Sequence, residues 1–307
     1  MKTLISLFAL FLSQTLTAQT NPATWYLNDT SGNGIQSPTN TASGNYSTAM
    51  GYQTEASGLY STAMGYQTEA SGNYSTAIGT QTTASISYST AIGHQTTASG
   101  YVSTAMGYYT TASGIVSTAM GERTTASGDN STAMGYKTEA SDRSSLVIGE
   151  YNLLGSTVTN SATQFSTDNT AFVIGNGADS DNRSDALTVL FNGDATLAGN
   201  LNVNSDARLK ANIVSLGSTL SKLLQIDGKS YTMKKDESEK QKIGLLAQDI
   251  EKVFPELVSE NNGVKSVNYQ GIVPILINAL KEQDEKIKDQ QSRINRLENL
   301  IQEFVKL

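Results

Sequence analysis

ASGNYSTAMGYQTE spans residues 42–55, and close copies follow it without a gap: ASGLYSTAMGYQTE at 56–69, then ASGNYSTAIGTQTT at 70–83. Seven full copies run from Ala42 to Glu139, and an eighth, ASDRSSLVIGEYNL, is degenerate. A fixed period constrains the fold before any single residue does, because every copy must adopt the same unit. Fourteen residues are too few for a pair of helices and suit two short strands and two turns. Gly51, Gly65, Gly79 and their equivalents mark one turn. The ASG triplet marks the other, with Ile86 replacing its glycine in the fourth copy. Along YSTAM, side chains alternate between faces: Tyr46, Thr48 and Met50 on one, Ser47 and Ala49 on the other.

Each layer offers one sizeable apolar side chain, from the series Met50, Met64, Ile78, Ile92, Met106, Met120 and Met134. That is little apolar surface to set against an ordering cost of roughly 1–2 kcal/mol per residue. Stacking the copies into a column helps, but so thin a column calls for several chains that pool their Met/Ile ridges. A Ser/Thr-rich linker has a similar composition, yet linkers do not hold a fixed phase over seven copies.

The repeat resembles the head repeat of trimeric autotransporter adhesins, whose pattern is close to NS-V-A-IG-x-x-S-x-ASG, over about residues 42–152. The resemblance implies a left-handed parallel β-roll in each chain and three rolls around a threefold axis, hence a homotrimer. Thr stands here at the usual valine and Met often replaces isoleucine. The membrane barrel of that family has no counterpart, because nothing after residue 205 alternates like amphipathic membrane strands.

Composition narrows the function classes. Charged residues make up 16% of the chain, the net charge is −7, and no long basic run exists, which argues against a nucleic-acid partner. One histidine, His94, and no cysteine argue against a zinc or redox site, so no metal and no cofactor is expected. The N-terminus, MKTLISLFALFLSQTLTAQT, has Lys2, an apolar core from Leu4 to Leu12 and a small-residue cleavage point at Ala18–Gln19. It reads as a secretory signal peptide over 1–18, ahead of an N-terminal segment at 19–41. No later stretch reaches eighteen apolar residues, so no integral membrane segment is expected after signal removal. The expected location is secreted or cell-surface, with no visible anchor.

A β-rich connector is expected over 153–204, from TAFVIGNG, DALTVLFNG and DATLAGNLNV, with FNGD as a tight turn. After it the composition becomes charged and helical, which makes the fold class mainly β with an α+β C-terminal third. In IGLLAQDIEKVFPELV a short helix should begin near Ala247, with Ile250, Val253 and Phe254 on one side and Pro255 closing it. The last block, about 273–307, reads as a long helix. Leu280, Ile287, Ile294 and Ile301 recur every seven residues, and Gln283, Gln290, Leu297 and Phe304 fall three after each. This is a heptad seam whose isoleucines suit a trimer, and Arg293 and Glu298 are placed to pair between neighbouring chains. A helix packed only on its own domain is the other reading.

Three motifs in order, SDARLK at 205–210, GLLAQDIEKVFPELV at 244–258 and VNYQGIVPILINALKE at 267–282, resemble the intramolecular chaperone auto-processing domain of the peptidase S74 family. Such domains end phage tailspikes and tail fibres and also occur on bacterial surface proteins. The resemblance covers 205–307. It implies a catalytic dyad of Ser205 and Lys210, with cleavage between Asn204 and Ser205. A serine hydroxyl needs a base to become a nucleophile, and lysine serves only when neutral. Its free pKa near 10.4 must therefore fall through burial or a neighbouring positive charge, and Arg208 could supply that charge. Fully extended, the five residues from Ser205 to Lys210 span roughly 16 Å. Contact thus requires a turn or a lysine from another chain. Ser205 could also simply be the N-cap of a helix opening at DARLK.

The expectation is an exported trimeric fibre or adhesin-like protein whose C-terminal third drives trimerisation and then releases itself. Two alternatives stay open. One is a non-cleaving structural adhesin that keeps its C-terminal domain as a permanent cap. The other is a carbohydrate-binding or carbohydrate-active fibre, against which the repeats offer few carboxylate pairs. Glu55 and Glu69, one repeat apart, read as solvated rim charges.

Overall fold

A computed structural model describes residues 26–27, 34–155, 158–234 and 240–305; the signal-peptide reading lies outside them. The chain divides into two compact units, Met1–Leu201 and Asn202–Leu307.

The first unit is a β-solenoid of about eight coils. In each, a five-residue strand such as Thr48–Tyr52 precedes a two-residue strand such as Glu55–Ala56. Neighbouring coils pair in parallel and in repeat register, with Thr48 opposite Thr62, Ala49 opposite Ala63 and Met50 opposite Met64. The geometry reveals a finer period than the sequence reading did. Two residues seven apart, Tyr46 and Gln53 in the first coil, adopt left-handed backbone (φ 59° and 52°), and their equivalents do so in the coils that follow. A buried Ser or Thr comes directly after each, and a buried Ala two residues later. One coil is thus two similar seven-residue arcs, YSTA-like and QTEA-like. The left-handed corners would cost each residue roughly 1–2 kcal/mol. Backbone bonds between coils hold them, such as Tyr60 N–H to the Asn45 carbonyl and Gln67 N–H to the Tyr52 carbonyl, both 2.9 Å.

The interior contains Ala, Ser and Thr. Every repeat alanine from Ala42 to Ala140 is fully buried, as are the Ser47 and Thr54 columns to within 2%. The predicted alternation holds: Ser47 and Ala49 face in, while Tyr46 is exposed and Thr48 and Met50 are half-buried. The Met/Ile ridge therefore runs along the outside of one chain, and Met106, Met120 and Met134 remain 36–39% exposed. Tyrosines stack along a rim, with ring centroids of Tyr46, Tyr60, Tyr74 and Tyr88 spaced by 4.9–5.2 Å.

The Thr54 column ends in asparagine on both sides. Asn40 stands one period before Thr54; its Oδ1 accepts from the Thr54 N–H (2.9 Å) and hydroxyl, and its Nδ2 donates to the Gly51 carbonyl. Asn152 stands one period after Thr138 and bridges both backbone groups of Glu139 at 2.8 and 3.0 Å. Each amide satisfies coil-edge groups that the next threonine coil would otherwise meet. Beyond the eighth coil, strand Thr170–Asn176 adds in parallel to Leu146–Glu150, and strands Asp185–Leu190 and Ala195–Leu197 follow antiparallel. The expected turn at FNGD joins the last two, with Gly193 at φ 90°.

The second unit is small and mixed. The helix predicted near Ala247 spans Ala247–Val253, and Phe254 leaves helical geometry before Pro255 opens a 3-10 turn. Asn262 and Gly263, both left-handed, turn the hairpin that pairs Val258–Asn261 with Val264–Val267. Ile250, Phe254, Leu257 and Ile275 form the core. The terminal helix, Ile272–Val305, anchors there through Ile275 and Ala279.

Gly79 provides a test of the solenoid. It sits at φ +128°, and a Cβ there would lie 1.9 Å from the Gly93 carbonyl oxygen. Gly79→Ala should therefore lower stability by at least about 2 kcal/mol. Thr96→Val should do the opposite or nothing, because the buried Thr96 Oγ1 has no hydrogen-bond partner among the described residues. Thermal denaturation followed by circular dichroism reads both. Equal loss in the two variants would contradict this account of the interior.

Candidate functional site

SDARLK makes its own turn. Ala207–Leu209 is one turn of 3-10 helix, and its N-cap is Asp206, whose carboxylate accepts the Arg208 N–H at 2.9 Å. Leu209 N–H returns to the Asp206 carbonyl, and Lys210 N–H to that of Ala207. The chain reverses over five residues and brings Lys210 Nζ to 2.7 Å from Ser205 Oγ, the nitrogen donating. The contact needs no second chain. Ser205 lies just outside the turn, so the N-cap reading belongs to Asp206 instead.

Arg208 does not serve the lysine. Its guanidinium grips Asp206 through Nε (3.0 and 3.1 Å) and Nη2 (2.6 Å). The pairing holds the Asp206 carboxyl below its usual range and raises Arg208 above its own. Residues 201–218 are all exposed, Asn204, Ser205 and Lys210 among them. The single chain therefore brings the two side chains into contact while leaving both of them in solvent.

The other two motifs hold the domain together. Tyr269 of VNYQG accepts the Leu245 N–H of GLLAQD at 2.9 Å. Gly244 permits this approach, since a Cβ there would lie 2.8 Å from the Tyr269 hydroxyl. Glu282, the last residue of the third motif, has a role that motif reading missed. Its carboxylate accepts the Ser218 hydroxyl (2.6 Å), the Thr219 N–H and the Leu220 N–H (3.1 Å), which cap the short helix Leu220–Leu223. Thr219 Oγ1 also donates to the Ile275 carbonyl at 2.9 Å. The seam residues Leu280, Ile287, Ile294, Leu297, Ile301 and Phe304 are all exposed, by 47–82%.

Comparison with known families places both halves. The YadA head domain repeat matches in overlapping windows from residue 42 to 138. The peptidase S74 model, described as the chaperone of endosialidase, matches residues 205–259, which takes in the first two motifs. The chain carries YadA-type head repeats followed by a peptidase S74 chaperone domain. A curated relative, the long tail fiber protein Gp37 of Salmonella phage S16, is 29% identical over 124 residues. That alignment covers 37% of this chain and 17% of the phage protein, so the chain spans under a fifth of that relative's length. The matched region begins at Ser205. No helix among the described residues is long and apolar enough to cross a membrane.

Glu282 generates a prediction of its own. Hydrogen bonds from Ser218 and then from the Thr219 N–H hold its carboxyl below the usual carboxylate range. Because the folded value is depressed, the stabilisation is present above the unfolded value near 4.3 and is lost as pH falls through the lower folded one. Glu282→Gln should speed amide hydrogen exchange at Thr219 and Leu220 at neutral pH. The wild type should show the same loss only in acid. Unchanged exchange in the variant would remove Glu282 from this role.

Proposed function

We propose that the protein is an exported homotrimeric fibre whose C-terminal domain aligns three chains and then releases itself by cutting the Asn204–Ser205 bond. The observation that carries this reading is the 2.7 Å contact between Lys210 Nζ and Ser205 Oγ, built within one turn at the start of the S74 match. Two exposed linear seams support the assembly part: the Met/Ile ridge of the head and the heptad face of the terminal helix. The families that the two halves resemble are trimeric, which supports the same reading. A signal peptide over 1–18 accounts for export.

In the proposed reaction, neutral Lys210 takes the hydroxyl proton as Ser205 Oγ attacks the Asn204 carbonyl carbon. The C–N bond breaks as the lysine returns the proton to the Ser205 nitrogen, leaving an ester between Asn204 and Ser205. Water then hydrolyses the ester and restores the hydroxyl. The products are a head ending at Asn204 and a 103-residue fragment from Ser205 to Leu307. Since the lysine is exposed in one chain, the burial that neutralises it must come from neighbouring chains, which would tie cutting to assembly. Release would then leave a trimer that cannot easily reverse its own folding.

Lys210→Arg separates a base from an ion-pair partner, because arginine keeps the charge and does not give up its proton. It should slow cutting by roughly 10²–10⁴-fold, while Ser205→Ala should leave a full-length trimer. N-terminal sequencing and intact mass of the C-terminal fragment are the readouts. Efficient cutting at Asn204–Ser205 in the arginine variant rules out the base role.

Ile287→Asp with Ile294→Asp places two charges in the seam, each costly to bury. The double variant should be monomeric by light scattering and should remain uncut. A proven monomer that cuts normally would show that the dyad works without assembly.

A further inference from the structure

Each coil of the head turns at two corners, one at either end of its long strand. The serine corner holds the two residues before the buried serine, Asn45 and Tyr46 in the first coil. The threonine corner holds the two before the buried threonine, Tyr52 and Gln53. The strand Thr48–Tyr52 separates them by roughly 16 Å. Ring contacts run along a corner: Tyr88 meets Tyr101 on one, and Tyr108 meets Tyr109 on the other. Among the described residues none crosses from corner to corner.

The corners nevertheless change together. The fourth residue of a coil lies on the serine corner and the twelfth on the threonine corner. In the first, third and fourth coils these are Asn or Ser and Gln, as in Asn73 and Gln81. In the fifth coil both become tyrosine, Tyr101 and Tyr109, 48% and 41% exposed. In the seventh they become opposite charges, Asp129 and Lys137. Asp129 Oδ1 accepts the Ile115 N–H at 2.9 Å, and Lys137 Nζ lies over the rings of Tyr136 and Tyr151 and donates to the Ser180 hydroxyl at 3.4 Å. Neither is in an ion pair among the described residues. Within one chain the two places cannot meet, so their matching has no intrachain cause. The serine corner is also strained. Val102 and Val116 hold left-handed backbone (φ 56° and 55°), which β-branched residues strongly disfavour, whereas the seventh coil uses Asn130 there at φ 57°. Both valines are exposed, by 40% and 47%. Apolar residues kept on strained, exposed backbone point to a surface that covers them.

We propose that the serine corner of one chain docks on the threonine corner of a second copy, coil against equal coil, so that Tyr101 meets the neighbour's Tyr109 and Asp129 the neighbour's Lys137. This joint presupposes the homotrimer proposed above and adds which surfaces meet and in what register. A closed threefold ring needs such a joint, because one surface must meet a different surface on the next chain, and an axial offset would open the ring into a helix. Register is the difficulty in a column of near-identical coils, since a slip by one coil changes little wherever Gln faces Asn or Ser. The seventh coil removes that freedom. Slipped one way, Asp129 stands level with Arg123, already paired with Glu122 at 3.0 Å. Slipped the other way, it stands level with Glu150, a like charge.

The chain has no cysteine, so an introduced pair can be linked without background. The full chain carrying Tyr101→Cys and Tyr109→Cys is treated with a short bis-maleimide and run on a denaturing gel, while light scattering gives its oligomeric state and circular dichroism its fold. The species that contains the head should become a covalent trimer. Each single variant should stay unlinked, and so should Tyr101→Cys with Lys137→Cys, whose sites lie two coils apart. If the tyrosine pair fails to fold, Ser87→Cys with Gln95→Cys probes the same joint one coil earlier. A trimer by light scattering that links through the offset pair, or through no pair, overturns the joint and leaves the homotrimer standing. A folded monomer removes the homotrimer, and this joint with it. Charge reversal is the second test. Lys137→Glu should lower the melting temperature of the trimer, and adding Asp129→Lys should recover most of that loss, because opposite charges face each other again. A loss that the double variant leaves unrepaired would overturn the pairing of Asp129 with Lys137.

Discussion

Each coil of the head closes over an interior filled by Ala, Ser and Thr, with Val147 and Val173 only at its C-terminal end, and much else in the molecule follows from that narrow width. With little apolar volume inside, order comes from backbone bonds that run from coil to coil, so each coil depends on the ones above and below it. The same closeness forbids a Cβ at Gly79 and its equivalents, where the carbonyl of the next coil already occupies the space. It also expels the larger side chains. Met and Ile become an external ridge and the tyrosines an external stack, where they can contact other surfaces but cannot stabilise the coil from within. Interior hydroxyls such as Thr96 Oγ1 have no hydrogen-bond partner among the described residues, a cost offset by a backbone bonded from coil to coil.

The C-terminal unit divides its long helix in a comparable way. Ile275 and Ala279 are buried, and from Leu280 onward the heptad positions face solvent. Glu282 stands at this transition and binds the start of the helix Leu220–Leu223 with three hydrogen bonds. The anchored turns fix where the helix leaves the domain, and the free turns present a seam. A column with an outward ridge and a helix with an outward seam are both linear surfaces of one chain, which is the form a parallel assembly of identical chains requires.

Periodic features were the legible ones. The fourteen-residue repeat, its inward Ser–Ala face, the helix at Ala247 and the heptads each recur or alternate, so neighbouring residues corroborate one another. What escaped notice were single residues whose meaning depends on what lies opposite them. Asn40 and Asn152 read as ordinary polar residues until the threonine column is seen to end on them, although a strict alignment by fourteens places both in that column. The half-period became visible only through the left-handed corners, because YSTA and QTEA share little beyond a Ser/Thr and an Ala. Arg208 looked available to lower the lysine's proton affinity, yet the nearer Asp206 binds it. Glu282 ended a motif without declaring a partner, since the amides it caps lie more than sixty residues earlier in the chain.

The SDARLK turn separates two requirements that are usually met together. Proximity is settled locally: Asp206 caps the turn, Arg208 braces the cap, and the lysine reaches the serine with no help from the rest of the domain. Burial is not supplied locally, because both groups are exposed. On the proposed reading, water around Lys210 is then what restrains the reaction, and removing that water is what a correctly joined neighbour would do. On that reading the cut happens once and only after assembly. On the same reading the geometry forms as soon as six residues fold, while the chemistry would wait for a surface that a neighbouring chain brings. It also explains why the turn can be polar and self-contained: its residues need only hold their shape until the environment changes around them.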